Sequence, residues 1–202
     1  MSDHLNLYLF SLLNASAGLH GWPLLAALFA AKWLILLAPL GLAALWVGGD
    51  APDRQAAVRA GLAALCGLAA SALIGMLWFH PRPFMAGVGH TFMQHAPDSS
   101  FPSDHATIMF SVALVLAFSR APHARRVGTL LLPLSLVVAW SRVYLGVHYP
   151  LDMAGALLVA ACMAVLVNSR VGAAVCAALV HVMETAYRRL FAAPIARGWL
   201  RP

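Results

Sequence analysis

Three short segments carry side chains able to work on a phosphate ester or anhydride. Five residues separate Ser141-Arg142 from His148, and three more separate that histidine from Asp152. Upstream lie Phe101-Pro102-Ser103-Asp104-His105 and, earlier still, His80-Pro81-Arg82-Pro83-Phe84. Together they supply two arginines to hold phosphate oxygens, histidines to attack phosphorus or protonate a leaving oxygen, and a carboxylate to orient an imidazole. Each segment abuts a strongly apolar stretch, so this chemistry sits at a membrane face.

The local geometry can be read from the prolines and caps. Pro150 suits the first turn of a helix and holds Tyr149 extended, which places His148 just before that helix. Asp152, in the first turn, can reach back to one imidazole nitrogen and leave the other free to attack. Taken alone, the pair is explained equally well by a carboxylate complementing the helix dipole and an interfacial ring. Ser103 is a good N-cap, and the free N–H groups of a helix start bind phosphate oxygens. Capping accounts for Ser103 and Asp104 but not for His105, an ionisable ring at the mouth of an apolar helix where a departing oxygen could take its proton. Arg82 and Arg142 would clamp the phosphoryl oxygens. Snorkelling explains either arginine singly and is strained for both beside the histidines.

These residues must be positioned by membrane helices. Of the 202 residues 62% are hydrophobic and 10% charged, and the mean hydropathy is +0.81, which marks an integral membrane protein. A span needs about 20 apolar residues. Five stretches qualify in whole or large part, near Trp22–Val47, Ala56–Phe79, His105–Phe118, Val127–Leu145 and Pro150–Val167. The expected fold is an all-α bundle of about five transmembrane helices forming one membrane-embedded domain over residues 1–202, with its motif core at 79–152. Residues 1–21 lack Lys and Arg and hold only a short apolar run broken by Asn6 and Asn14, so they read as an interfacial or re-entrant helix rather than a signal peptide. In 172–191, His181, Glu184, Arg188 and Arg189 interrupt the apolar pattern, favouring an amphipathic interfacial helix over a sixth span. Cys66, Cys162 and Cys176 lie in or beside apolar helices and read as packing residues rather than a disulfide framework.

Charge sets the orientation. Arg54, Arg59, Arg120, Arg125, Arg126, Arg170, Arg188, Arg189, Arg197 and Arg201, ten of the thirteen basic residues, fall at one end of a five-span bundle. The positive-inside rule makes that end cytoplasmic. Alternation of spans then brings Arg82, Ser103 to His105, Arg142, His148 and Asp152 to the other end, outside the cytoplasm.

The stretch from Ser141-Arg142 through His148 to Asp152 resembles the third signature of the type 2 phosphatidic acid phosphatase superfamily. Pro102-Ser103-Asp104-His105 resembles the second signature, with Asp104 where many members carry glycine. The wording Ser100 to His105, with His95 and Asp98 before it, is similar to the bacitracin-resistance branch, the undecaprenyl-diphosphate phosphatases of bacterial inner membranes. The resemblance covers Phe79 to Asp152, and elsewhere extends only to hydropathy. It implies His148 as nucleophile forming a phosphohistidine, Asp152 orienting it, and His105 as acid for the leaving group. It further implies Arg82, Ser103, Arg142 and the backbone at Asp104 as phosphate ligands, and no metal or other cofactor. Members commonly carry a lysine seven positions before the arginine of Arg-Pro, where this chain has Gly75. His80 is a candidate for the missing donor, and Gly75 is equally suited to close helix packing.

Other classes were weighed against this. Seven histidines, His4, His20, His80, His90, His95, His105 and His148, fall on the outer side, but their spacings match no common zinc pattern. His90 and His95 read as loop residues or contacts to a second phosphate. A transporter would place ionisable groups near mid-membrane, whereas the charges here gather at the rims; a bland helical scaffold is the remaining option. No nucleic-acid motif occurs, and the net charge of +6 fits arginines facing anionic lipid. The partner expected is a lipid phosphate or diphosphate, undecaprenyl diphosphate first and diacyl lipid phosphates as the alternative.

Overall fold

The computed structural model describes residues 2–201, the side chains from His4 onward. Among the described residues the regular structure is entirely helical. Helix α1 (Ser2–Leu13) precedes a long broken helix made of α2 (Gly21–Trp33), a 3₁₀ turn (Leu34–Leu36) and α3 (Leu37–Gly48). Then come α4 (Ala51–Leu77), α5 (Asp104–Ala117), α6 (Pro122–Tyr144), α7 (Pro150–Asn168), α8 (Arg170–Leu190) and the short α9 (Ala192–Ala196). Four segments are long and apolar enough to cross a membrane: 21–48, 51–77, 122–144 and 150–168.

Helices stand at all five expected spans with shifted ends, four of them long and apolar enough to cross a membrane, and the shifts have local causes. Pro39 has no N–H for the Ile35 carbonyl and its ring crowds that position, which accounts for the tightened turn at Leu34–Leu36 inside the first span. Helix α4 starts five residues before the expected Ala56 because Asp50 and Asp53 form a capping box, with Pro52 in the first turn. Asp53 is fully buried although it sits in the charged turn: its Oδ1 accepts from the Ala124 amide at 3.1 Å and its Oδ2 contacts His123 Nδ1 at 3.0 Å. That carboxylate fastens the start of α4 to the start of α6.

The expected third span is the short one. Helix α5 has 14 residues, about 21 Å of rise against a hydrocarbon core of about 30 Å. It is also the central element: Ala106, Thr107, Met109, Phe110, Val112, Ala113, Val115 and Leu116 are all buried. Non-helical backbone at its ends is therefore covered by protein, the condition under which a membrane tolerates it. Its beginning lies against the first turn of α7, where the Ser103 amide donates to the Asp152 carbonyl at 3.3 Å. Its end shares a cavity with Pro52 and Arg59 of α4, Ala121 before α6 and Asn168 at the end of α7. Helix α5 thus traverses the bundle, and the three motifs meet at the end opposite Arg54, Arg59 and Arg120.

Close packing of α4 on α5 depends on a missing side chain. A Cβ on Gly67 would lie 2.8 Å from Thr107 Cγ2 and 3.3 Å from Ser111 Oγ. Gly67→Val is expected to cost about 1–3 kcal/mol through overpacking, read as a lower melting temperature in detergent. An unchanged melting temperature would show that α4 and α5 are free to part there.

The terminal helices α1 and α8 pack against the bundle and are not among its four candidate spans. Helix α1 exposes Leu5, Tyr8 and Leu12 while burying Asn6 and Phe10. The asparagines that break its apolar run are its attachments: Asn6 Oδ1 accepts from the Leu151 amide at 3.0 Å, and Asn14 donates to the His90 and Tyr144 carbonyls. Helix α8 is long enough to span but is not among the four sufficiently apolar segments. It lies against the first half of α4, with Leu179 and Met183 beside Ala57, Val58 and Gly61.

Candidate active site

The site is assembled by helix α7, helix α5, the end of α6 and the 79–103 loop. Tyr149 is extended (φ −90°, ψ 159°) and Pro150 begins α7, so His148 projects from the last loop residues before the helix, as its sequence neighbours predict. Asp152 Oδ2 gathers three groups: it accepts from the Tyr149 amide at 2.8 Å, contacts His148 Nδ1 at 3.2 Å, and takes a hydrogen bond from the Ser100 hydroxyl. The carboxylate therefore both closes the first turn of its helix and orients the imidazole, so the structural and chemical readings coexist in one oxygen.

With Nδ1 facing the carboxylate, Nε2 is the acceptor nitrogen. Arg82 Nη1 lies 2.9 Å from it and also donates to the Val147 carbonyl at 2.9 Å. The remaining guanidinium nitrogens of Arg82 are held by Asp98 Oδ1 at 2.8 Å and the Ser99 carbonyl at 3.2 Å. His148 and Arg82 are 1% and 4% exposed, so both work in a low-dielectric setting where charge interactions are strong. Burial first, then the positive charges of Arg82 and Arg142, keep the His148 ring well below the usual histidine range and hence neutral.

Arg142 is 2% exposed, and its Nε and Nη2 are buried without a hydrogen-bond partner. A guanidinium is rarely left so, because unpaired buried donors are costly. Its charge acts on His95, His105 and His148. Asp152 Oδ1 is likewise buried and unpartnered. The unpartnered Nε and Nη2 of Arg142 are suited to hold an anion.

The other sequence-predicted residues are placed less uniformly. Ser103 is fully buried and caps α5, accepting from the Ala106 amide at 3.5 Å. His105 is half-buried in the first turn of α5, and the Asp104 side chain is exposed, which leaves the backbone N–H at that helix start as the part of Asp104 suited to a phosphate. His80 is half-buried. Its ring meets Tyr149 edge-on at 6.0 Å and tilts against Trp78 at 5.9 Å, so it stands at the side of the site rather than in the Arg82–His148–Asp152 contact set. At Gly75 a Cβ would come 3.2 Å from Ser99 Cβ, so this position makes room for the loop that grips Arg82.

Two further side chains lie against the His148–Asp152 pair, and the first of them had no site role in the sequence reading. Ser100 is fully buried and bonds Asp152, and its Oγ lies 3.4 Å from His148 Nδ1; a serine in an irregular loop carries no periodic signal. His95 joins through its ring, 6.0 Å from the His148 ring and 3.7 Å from Asp98. Burial and the nearby arginines lower its pKa. The sequence offers it as a loop residue or a contact to a second phosphate, and its place beside the His148 ring fits the second.

Arginines and histidines gathered at one rim of a helical membrane bundle point to a class, and comparison with known proteins agrees. Residues 56–188 match the family model of the PAP2 superfamily, and the chain belongs to that superfamily, as a multi-pass membrane phosphatase. It is 42% identical over 201 residues, the full length of both chains, to YbjG of Escherichia coli (strain K12), provisionally named an undecaprenyl-diphosphatase. It is 36% identical over 132 residues, 65% of this chain and 66% of the relative, to the undecaprenyl-diphosphatase BcrC of Bacillus subtilis (strain 168). Among solved structures, Aquifex aeolicus LpxE superposes with a TM-score of 0.60 at 23% identity, covering 80% of this chain and 93% of that one. A PAP2 type phosphatidylglycerolphosphate phosphatase from Bacillus subtilis gives 0.58 at 17% identity, covering 83% and 84%.

Proposed function

We propose that the protein hydrolyses undecaprenyl diphosphate to undecaprenyl phosphate and inorganic phosphate through a phosphohistidine on His148. The observation that carries this is the buried Asp152–His148–Arg82 alignment beside an Arg142 with unpartnered N–H groups. A terminal phosphoryl group entering the pocket takes the Arg82 N–H from His148 Nε2 onto one of its own oxygens, and Arg142 takes another. Ser103 and the backbone N–H groups at Asp104 complete the cradle. Nε2 then forms a bond to phosphorus as the bond to the bridging oxygen breaks, and the lipid monophosphate departs with a proton available from His105. Water attacks the phosphohistidine, releasing inorganic phosphate and restoring the imidazole. His80, beside Tyr149, is the candidate donor in place of the family lysine, and His95, beside the His148 ring, the candidate contact to the second phosphate.

The full-length likeness to YbjG and the likeness to BcrC support the polyprenyl substrate. The orientation supported by the arginine distribution puts the site outside the cytoplasm, on the periplasmic side of a bacterial inner membrane, where the monophosphate would be recovered for cell-wall assembly and bacitracin resistance. A second reading, a diacyl lipid phosphate as substrate, draws on the fold shared with the phosphatidylglycerolphosphate phosphatase. A panel of undecaprenyl diphosphate, phosphatidic acid and phosphatidylglycerol phosphate, with and without EDTA, separates them. The polyprenyl diphosphate is expected to give the highest kcat/KM, unchanged by chelator. Preference for a diacyl substrate would overturn the substrate, and loss of activity in EDTA would overturn the metal-free chemistry.

A further inference from the structure

At the end of the bundle opposite the phosphatase site, α4, α5 and α7 enclose a cavity of about 430 Å³. Its polar lining is Gln55, Arg59, Ser119, Arg120 and Asn168, and no acidic side chain lines it. Arg59 is half-buried in the third turn of α4. Its Nε is shielded from solvent and has no hydrogen-bond partner, and its Nη1 makes a long 3.4 Å contact to Asn168 Oδ1. Neighbouring Arg125, Arg126 and Arg170 are, by contrast, exposed on helix surfaces.

This cavity adjoins an apolar groove. Val115, Phe118 and Asn168 line both, and the groove runs on between α5 and α7 along Leu114, Ala161, Ala164 and Val165. Phe118, 82% exposed, stands between the two compartments. A cationic recess beside a hydrocarbon-lined groove complements the two halves of an amphiphile: arginine donors for a phosphate and a channel for a chain.

We propose that this is a binding site for an anionic glycerophospholipid, with its phosphate between Arg59 and Arg120 and an acyl chain in the α5–α7 groove. A free anion would use only the arginine half, so the adjoining groove, which shares Val115, Phe118 and Asn168 with the recess, is what selects a lipid. The site is separate from the phosphatase pocket and does not depend on which substrate that pocket takes.

The test is native mass spectrometry of the full chain with dioleoylphosphatidylglycerol, dioleoylphosphatidylcholine or inorganic phosphate, with vanadate added to fill the phosphatase pocket. Phosphatidylglycerol is expected to be retained about tenfold more tightly than phosphatidylcholine, as charge-assisted hydrogen bonds predict, and to survive vanadate. Arg59→Gln, Arg120→Gln and Ala161→Trp should each weaken retention several-fold with phosphatase activity intact, and Arg59→Lys should restore part of it. Arg120 and Ala161 are exposed, so their variants carry the test if Arg59→Gln misfolds. Equal retention of the two lipids, displacement by vanadate, or indifference to Arg120→Gln would overturn the site. Competition by inorganic phosphate together with indifference to Ala161→Trp would overturn its assignment to a lipid.

Discussion

Replacing His148 with alanine is expected to lower phosphate release by about 10⁴-fold or more while the protein still folds, because a covalent route cannot proceed without its nucleophile. The fold should survive because the surrounding network does not hinge on the ring. Without it, Asp152 keeps the Tyr149 amide and the Ser100 hydroxyl, and Arg82 keeps the Val147 carbonyl, Asp98 and the Ser99 carbonyl. Size-exclusion behaviour and helical content check that point. The same environment fixes the pH dependence. His148 attacks only when neutral, and burial with the adjacent arginines lowers its pKa well below 6.5. Nucleophilic competence is therefore complete at and above pH 6.5 and is lost only as pH falls through that depressed value. An acid limb of kcat/KM centred on 6.5 and assignable to His148 would contradict this environment.

Replacing Arg142 with methionine is expected to lower kcat/KM by about 10²- to 10³-fold, the usual effect of removing one preorganised donor to a transferring group. Stability should move the other way. Arg142 holds buried Nε and Nη2 groups without partners, and exchanging an uncompensated buried charge for an apolar chain of similar length stabilises a protein by on the order of 1 kcal/mol. A thermal melt in detergent without phosphate should therefore favour the variant, and added inorganic phosphate should raise the melting temperature of the wild type alone. A structural arginine would show the opposite: a less stable variant and no difference in response to phosphate.

Much of this architecture was legible because membrane helices announce themselves by apolar length and because basic residues sort to one end. Helix ends were less legible. Hydropathy locates an apolar run but not the buried Asp53 that extends α4 and fastens it to α6, nor the interior position that lets α5 serve with 14 residues. At the site, Pro150 and the four-residue spacing from His148 to Asp152 forecast their contact, since proline and helix-start geometry are local. Ser100 and the grip of Asp98 and Ser99 on Arg82 arise from a loop brought in over the helix ends. Such contacts are tertiary, with no periodicity to betray them. Gly75 belongs to both categories: its departure from the family pattern is visible in the sequence, and its reason, the seat it leaves for Ser99, only in space.

The most direct measurement is acid–base-resolved trapping of the covalent intermediate with undecaprenyl diphosphate carrying ³²P in its terminal phosphate. After rapid denaturing quench, label stable to alkali and labile to acid is expected on the peptide containing His148, and absent from the His148→Ala protein. Turnover with no label on that peptide under conditions that preserve phosphohistidine, or label on another residue, would contradict the assignment of His148 as the nucleophile.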